Sequence, residues 1–201
     1  MLTLYDAALS GNCHKIRLLL SLLGLEHQSI EIAIHEGETR TDAFRQINPR
    51  SQVPVLKDDE ITIWDSQAIL VYLARRYGGE TWLPSPAEQM AQVMQWLAVS
   101  ENELLYGLAK ARRIHRYHGS GDLEEARLLA RSGLAVLNQR LETHDWLALD
   151  RPTIAEAACY PYISMADEAG ISLDDYPAVQ AWLKRLAELP GFLGMEAFNQ
   201  N

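Results

Sequence analysis

Cysteine is nearly absent: Cys13 and Cys159 are the only two in 201 residues. Two are too few for a disulfide framework, and neither has Cys or His neighbours at the spacing of a zinc site. Reduced thiols and no metal are the expectation. Long apolar runs are missing as well. No stretch approaches the roughly eighteen residues of a membrane-spanning helix, and the start lacks a basic segment followed by an apolar signal core. That pattern suits a cytoplasmic protein with no membrane contact. Positive charge is the third shortage. Lys plus Arg number 18 against 27 Asp plus Glu, a formal net charge of −9. Such a surface repels phosphate backbones and argues against a nucleic-acid partner, and the run from Arg112-Arg113 to Arg116 is too short to reverse it. No internal repeat or low-complexity tract is present.

What is present is the composition of a folding chain: 48% of residues are hydrophobic and 22% charged, enough for one large domain or two small ones. Leu2–Tyr5 predicts a strand, and after a polar turn the apolar residues of Cys13–Leu23 recur at helical spacing until Gly24. His27–Ile34 alternates as a second strand, completing a parallel βαβ unit. Thr41–Ile47 predicts a short helix that stops before Asn48-Pro49. Val53–Leu56 and Glu60–Trp64 predict a hairpin turning at Lys57-Asp58-Asp59. Asp65-Ser66 offers an N-cap for a helix through Tyr77, ended by Gly78-Gly79. The order is βαβαββα. Thr81–Glu88, with two prolines, reads as a linker between domains at 1–80 and 87–201. Beyond it, helical patterns at about 87–117, 123–144, 153–169 and 178–188 predict an all-α second half.

Three places could carry chemistry. Ser10-Gly11-Asn12-Cys13 lies where strand one turns into helix one, and a helix N-terminus stabilises a thiolate through its unpaired amides. A hydroxyl donated to a bound thiolate would lower the thiol pKa from about 8.5. The local sequence equally allows Ser10 or Asn12 to do no more than cap the helix. Val53-Pro54 opens a strand with a residue that donates no ladder hydrogen bond, exposing neighbouring backbone groups to a peptide-like ligand. Asp65-Ser66 pairs a carboxylate, suited to an ammonium, with a helix N-terminus, suited to a carboxylate. It also reads as a plain N-cap. His14 and His35 lack partners at metal or catalytic-triad spacing and read as surface or ligand-rim residues. Cys13 and Cys159 read as packing residues.

Taken together, Ser10-Gly-Asn-Cys-His-Lys15, Asn48-Pro-Arg-Ser-Gln-Val-Pro-Val-Leu56, Asp65-Ser-Gln-Ala-Ile-Leu70 and Asp150-Arg-Pro-Thr-Ile-Ala-Glu156 resemble the cytosolic glutathione transferases. The resemblance covers nearly the whole chain and implies an α/β thioredoxin-like N-terminal domain followed by an all-α C-terminal domain. It implies that glutathione is the co-substrate and that the Val53-Pro54 bond is cis, with the Val53 backbone pairing the cysteinyl part. Asp65 and Ser66 would hold the γ-glutamyl group, and Ser10, or Asn12, would activate the thiol. Gln52 and His35 are further glutathione candidates. Asn102, Tyr106 and Arg113 would line the pocket of a small apolar electrophile, whereas Trp96 reads as core. The resemblance also implies a homodimer and a detoxifying transferase. Isomerase, dehalogenase or disulfide reductase chemistry would use the same site, and a non-catalytic glutathione-binding or regulatory protein is the rival of another class. Ser51 stands where the family often has Gly, and Glu156 where it usually has Asp. Thr153 and Glu156 retain capping-box spacing.

Overall fold

Residues 1–195 are described in the computed structural model. Strand β1 (Leu2–Asp6) alternates between buried and half-buried side chains and is interior to the sheet. The four-stranded order is β2-β1-β3-β4. Strand β2 (His27–Glu31) pairs parallel to β1, while β3 (Val55–Asp58) pairs antiparallel to β1 on its other side and β4 (Ile61–Trp64) antiparallel to β3. Helix α1 (Gly11–Leu22) makes the crossover, and Gly24, at φ 64°, reverses the chain behind it. This is the expected βαβαββα frame, with α2 (Asp42–Ile47) and α3 (Ser66–Leu73) completing it.

Several boundaries differ from the expectation for physical reasons. Strand β2 ends at Glu31 rather than Ile34 because its partner ends there: Glu31 sits opposite Asp6, the last residue of β1. The hairpin turns at Asp59-Glu60, since Asp58 is paired opposite Ile61. Lys57 and Asp58 therefore belong to β3, and Asp58 accepts hydrogen bonds from the Tyr72 and Tyr77 hydroxyls of the following helical segment. Gly78-Gly79 does not end helical structure. Wide turns at Ala74–Gly78 lead into a short helix α4 (Gly79–Trp82), leaving only 83–86 between it and α5 (Ala87–Val99).

Helix α5, π-type turns at Ser100–Ala109 and α6 (Lys110–Tyr117) wind continuously over the span whose periodicity predicts one long helix. Helix α7 (Leu123–Leu141) packs along it, and Gly107 makes the approach possible: a Cβ there would lie 2.5 Å from the Ala130 backbone nitrogen. Helix α8 (Ile154–Ser164) is buried from Ile154 to Ile163. Its start is closed by Thr153 and Glu156, whose carboxylate accepts from the Thr153 amide at 2.7 Å and the Leu147 amide at 2.8 Å. The longer Glu thus reaches a second segment while keeping the box. Helix α9 (Pro177–Ala187) completes the bundle. One apolar core runs through both halves, from Leu4, Leu18 and Leu70 to Leu104, Leu134 and Trp182. Each such fully buried leucine contributes roughly 1.5–3 kcal/mol before entropy is counted. A smaller cluster of Ile32, Phe44 and Val55 supports α2 beside the loop that leads to Val53-Pro54.

Candidate active site

Ser10 is the N-cap of α1, and its Oγ accepts a hydrogen bond from the Cys13 amide at 3.2 Å. Capping uses the oxygen only. A hydroxyl has one proton and two lone pairs, so Ser10 can accept from Cys13 and still donate outward. The two readings of Ser10 in the sequence are therefore compatible.

Ser10 sits on the seam between two cavities. The first, of about 680 Å³, is the more polar of the two and is lined from one half by Asn12, Asn48, Arg50, Ser51, Gln52, Val53, Pro54, Asp65 and Ser66, and from the other by Glu101, Tyr106, Lys110 and Arg113. The cis Val53-Pro54 bond lies in its lining. The approach loop is shaped by Asn48, which donates to the Gln52 carbonyl at 2.6 Å and accepts from the Arg50 amide at 2.9 Å. Ser51 adopts φ 56°, the left-handed conformation that glycine would take at least cost, so the Gly-to-Ser departure leaves the turn in place.

Asp65 also holds a positive φ, 80°. Its Oδ1 caps α3 through the Gln67 amide at 3.0 Å, and its Oδ2 pairs with Arg50 at 2.8 Å. Ser66, next to it, is buried at the start of α3. The Asn12 Oδ1 is buried with no hydrogen-bond partner among the described residues, and the residue lines this cavity beside Ser10. An orphaned polar atom of this kind calls for a ligand or a water.

The second cavity, of about 660 Å³, is chiefly apolar, with Ala7, Ala8, Leu9, Ile32, Ala33 and Ile34 on one side and Arg112, Arg113, Tyr117 and Tyr162 on the other. His35 lines this cavity rather than the polar one. Tyr106 and Arg113 share a face as their spacing predicts, and Arg113 borders both cavities. Asn102 lines neither. It is exposed and donates to the Ala98 carbonyl at 2.9 Å, because the wide turns of Ser100–Ala109 aim Glu101 instead at the polar cavity. Trp96 is half-buried against the core.

His14 is not a surface residue: it is fully buried beneath the chain's final described segment. Its Nε2 lies 2.9 Å from the Leu193 carbonyl, which only accepts, so Nε2 carries the proton and Nδ1 turns its lone pair toward Arg17. Burial, helped by Arg17, pushes its pKa down to about 3. Burial likewise raises both cysteine thiols, so neither is a ready nucleophile.

Sequence reasoning missed five residues: Arg50, Lys15, Glu101, Gln67 and Tyr162. Arg50 reaches Asp65 only through the loop's fold. Lys15, fully buried on α1, pairs with Glu101 at 3.1 Å, and Gln67 donates to the same oxygen at 2.8 Å. This network ties α1 and α3 to the helical half, and burial pushes the Lys15 pKa down against the pull of Glu101. Tyr162, on the buried helix α8, is the fifth. Its hydroxyl, in a helix otherwise rich in alanine and isoleucine, was the only local signal.

This arrangement places the Ser10 hydroxyl between a polar cleft and an apolar one. Among the described residues no group of three or more His, Cys, Asp or Glu converges as a metal site. The chain matches the family described as glutathione S-transferase, N-terminal domain, over residues 9–76, and glutathione S-transferase, C-terminal domain, over residues 106–190. It is 29% identical to the disulfide-bond oxidoreductase YfcG of Escherichia coli K12, over 94% of this chain and 92% of that one. It is also 29% identical to the glutathione S-transferase GstB of the same strain, over 94% and 95%. Among solved structures, a glutathione S-transferase from Pseudomonas fluorescens Pf-5 superposes with TM-score 0.91 at 34% identity, covering 96% of this chain and 98% of the other. By sequence and by fold alike, the chain belongs to the glutathione S-transferase family.

Proposed function

We propose that the protein is a glutathione transferase in which Ser10 stabilises the glutathione thiolate for attack on a small electrophile held in the apolar cavity. The observation that carries this reading is the place of Ser10, a helix N-cap with a hydroxyl proton to spare, on the seam of the two cavities. In this reading Val53 offers its backbone beside the cis bond to the cysteinyl peptide groups. Asp65 and Ser66 take the γ-glutamyl ammonium and carboxylate, with Gln52 at the rim. Asn12 is a second donor to the sulfur through its side-chain amide, and His35, Tyr106 and Arg113 shape the electrophile's surroundings.

Ser10→Ala tests the central role. It should slow conjugation by about tenfold to a thousandfold while leaving glutathione affinity within a few-fold. An unchanged rate would pass the role to Asn12 or to a helix amide. Disulfide reduction is a second reading, favoured by the oxidoreductase among the relatives. Product analysis separates the two: a thioether marks a transferase, whereas oxidised glutathione formed as a disulfide substrate is reduced marks a reductase.

The domain division at 1–80 and 87–201 belongs to the same reading, with 83–86 as the connection. So does a homodimer, for which the exposed Ile61, Trp64, Met94, Leu128 and Val136 supply apolar surface. Analytical ultracentrifugation tests it, and a sedimenting monomer at micromolar concentration would refute it. A cytoplasmic location is likewise part of this proposal; no described helix is long and apolar enough to cross a membrane.

A further inference from the structure

The loop that presents Ser10 is held from two sides. Between β1 and α1 the chain turns through Ala7, Ala8 and Leu9, and all three carbonyls accept hydrogen bonds. On one side, Arg17 of α1 donates to the Ala8 carbonyl at 3.0 Å and pairs with Asp6 at the end of β1. That hold is internal to the first half. The Leu9 carbonyl instead accepts from Arg112 Nη1 at 2.9 Å, a residue 103 positions away on α6 of the helical half.

This contact fixes more than one atom. A peptide unit is planar, so the Leu9 oxygen and the Ser10 nitrogen move together. The nitrogen donates to the Ala7 carbonyl at 3.0 Å, and the oxygen is held by Arg112. Beyond its Cα, the Ser10 carbonyl accepts from the His14 amide at 3.0 Å. With the plane before Ser10 and the carbonyl after it both held, the direction in which its side chain leaves the backbone is set.

Arg112 is itself fixed, with 9% of its side chain exposed. Its Nε donates to Glu168 at 2.6 Å and its Nη2 to the Tyr117 hydroxyl at 3.1 Å, and the guanidinium carbon lies 5.2 Å from the Tyr117 ring centroid. The three hydrogen bonds use three different nitrogens of one rigid plane, a pattern that a flexible ammonium does not reproduce. Arg112 lines the apolar cavity but not the polar one assigned to glutathione. The Leu9–Ser10 peptide is therefore its connection to the sulfur site.

A donor acts on a bound anion only when held within roughly 0.5 Å of its productive place. Resting on the transferase reading, we propose that Arg112 is a positioning residue of the thiol site: by holding the Leu9 carbonyl it aims the Ser10 hydroxyl at the glutathione sulfur, so that the helical half governs a residue of the first half.

The test is a double-mutant cycle over wild type, Arg112→Met, Ser10→Ala and the double variant. The readout is the ultraviolet absorbance of bound glutathione thiolate against pH with no electrophile present, which removes any contact between Arg112 and the second substrate. Arg112→Met should raise the pKa of the bound thiol by about 0.5 unit or more when Ser10 is present, and by less than about 0.2 unit when it is alanine. The glutathione Kd should stay within about threefold. An equal rise in both backgrounds would show that the guanidinium acts through its own charge and would overturn the proposal, as would no rise at all. Methionine keeps the apolar packing of the stem, and Glu168 keeps Arg116 as a partner at 3.2 Å, so the variant should fold. Glu168→Ala gives an independent check by sign: loss of a negative charge alone lowers the thiol pKa, whereas loosening Arg112 raises it. A rise supports the proposal, and a fall or no change overturns it. A wild-type bound thiol that titrates as it does in free solution would instead overturn the transferase reading.

Discussion

Asp65→Asn separates binding from folding at the proposed γ-glutamyl site. The carboxylate has two tasks on two oxygens: Oδ1 caps α3 at 3.0 Å from the Gln67 amide, and Oδ2 pairs with Arg50 at 2.8 Å. Asparagine keeps an Oδ1 acceptor, is as good an N-cap, and tolerates the observed φ of 80° better than most residues. The Arg50 pair is partly solvated, with 52% and 28% of the two side chains exposed, so its loss costs less than about 1 kcal/mol of stability. A hydrogen bond between ionised groups in the cleft contributes about 1.5–3 kcal/mol, and removing it raises the glutathione Kd about 10- to 100-fold. Arg50, left without its partner, would repel the ammonium and add to the loss. Titration calorimetry with glutathione and with an analogue lacking the α-amino group provides the assay. The variant should bind glutathione weakly, and wild type and variant should bind the analogue alike. A Kd for glutathione within about threefold of wild type, or an equal loss for the analogue, would refute the assignment of the ammonium to Asp65.

Two further perturbations test other parts of the structure. Gly107→Ala should destabilise the protein by about 1–3 kcal/mol, although helix propensity alone favours alanine by about 1 kcal/mol, because the new Cβ meets the backbone of α7 rather than a side chain that can move; a raised midpoint in urea would contradict the packing. His14 has its folded pKa depressed to about 3 from 6.5, so the stability of its neutral form is present above about pH 6.5 and is lost as pH falls toward 3. Between pH 7 and 5, wild type should lose about 2 kcal/mol more than His14→Asn in urea unfolding, and parallel losses would show that His14 is not buried as a neutral ring.

Local features of the sequence carried much of this architecture. Gly24 and the N-caps Thr41, Asp65 and Thr153 act within a turn of themselves, and each occupies the position its chemistry favours. Features set by distant partners were not legible. The length of β2 depends on where β1 stops. Lys15 looks like a solvated charge until Glu101, 86 positions later, supplies its partner. His14 is covered by Leu193, 179 positions away. Two of the three motifs at the candidate site read equally well as caps, because a helix N-terminus and an anion site are built from the same amides. Their convergence around one cleft, which the cis Val53-Pro54 bond also lines, appears only in the fold. The positions of Arg50 and Tyr162 at the two cavities depend on loop and helix placement that no local pattern encodes.

The most direct test of the account is the ultraviolet absorbance of glutathione thiolate bound to the protein, followed against pH for wild type and Ser10→Ala. The account predicts that the bound thiol titrates at least about one unit below its free value of roughly 8.5 in wild type and returns toward that value in the variant. A bound thiol that titrates as it does in free solution, or a depressed pKa that survives Ser10→Ala, would contradict the claim that Ser10 holds the thiolate.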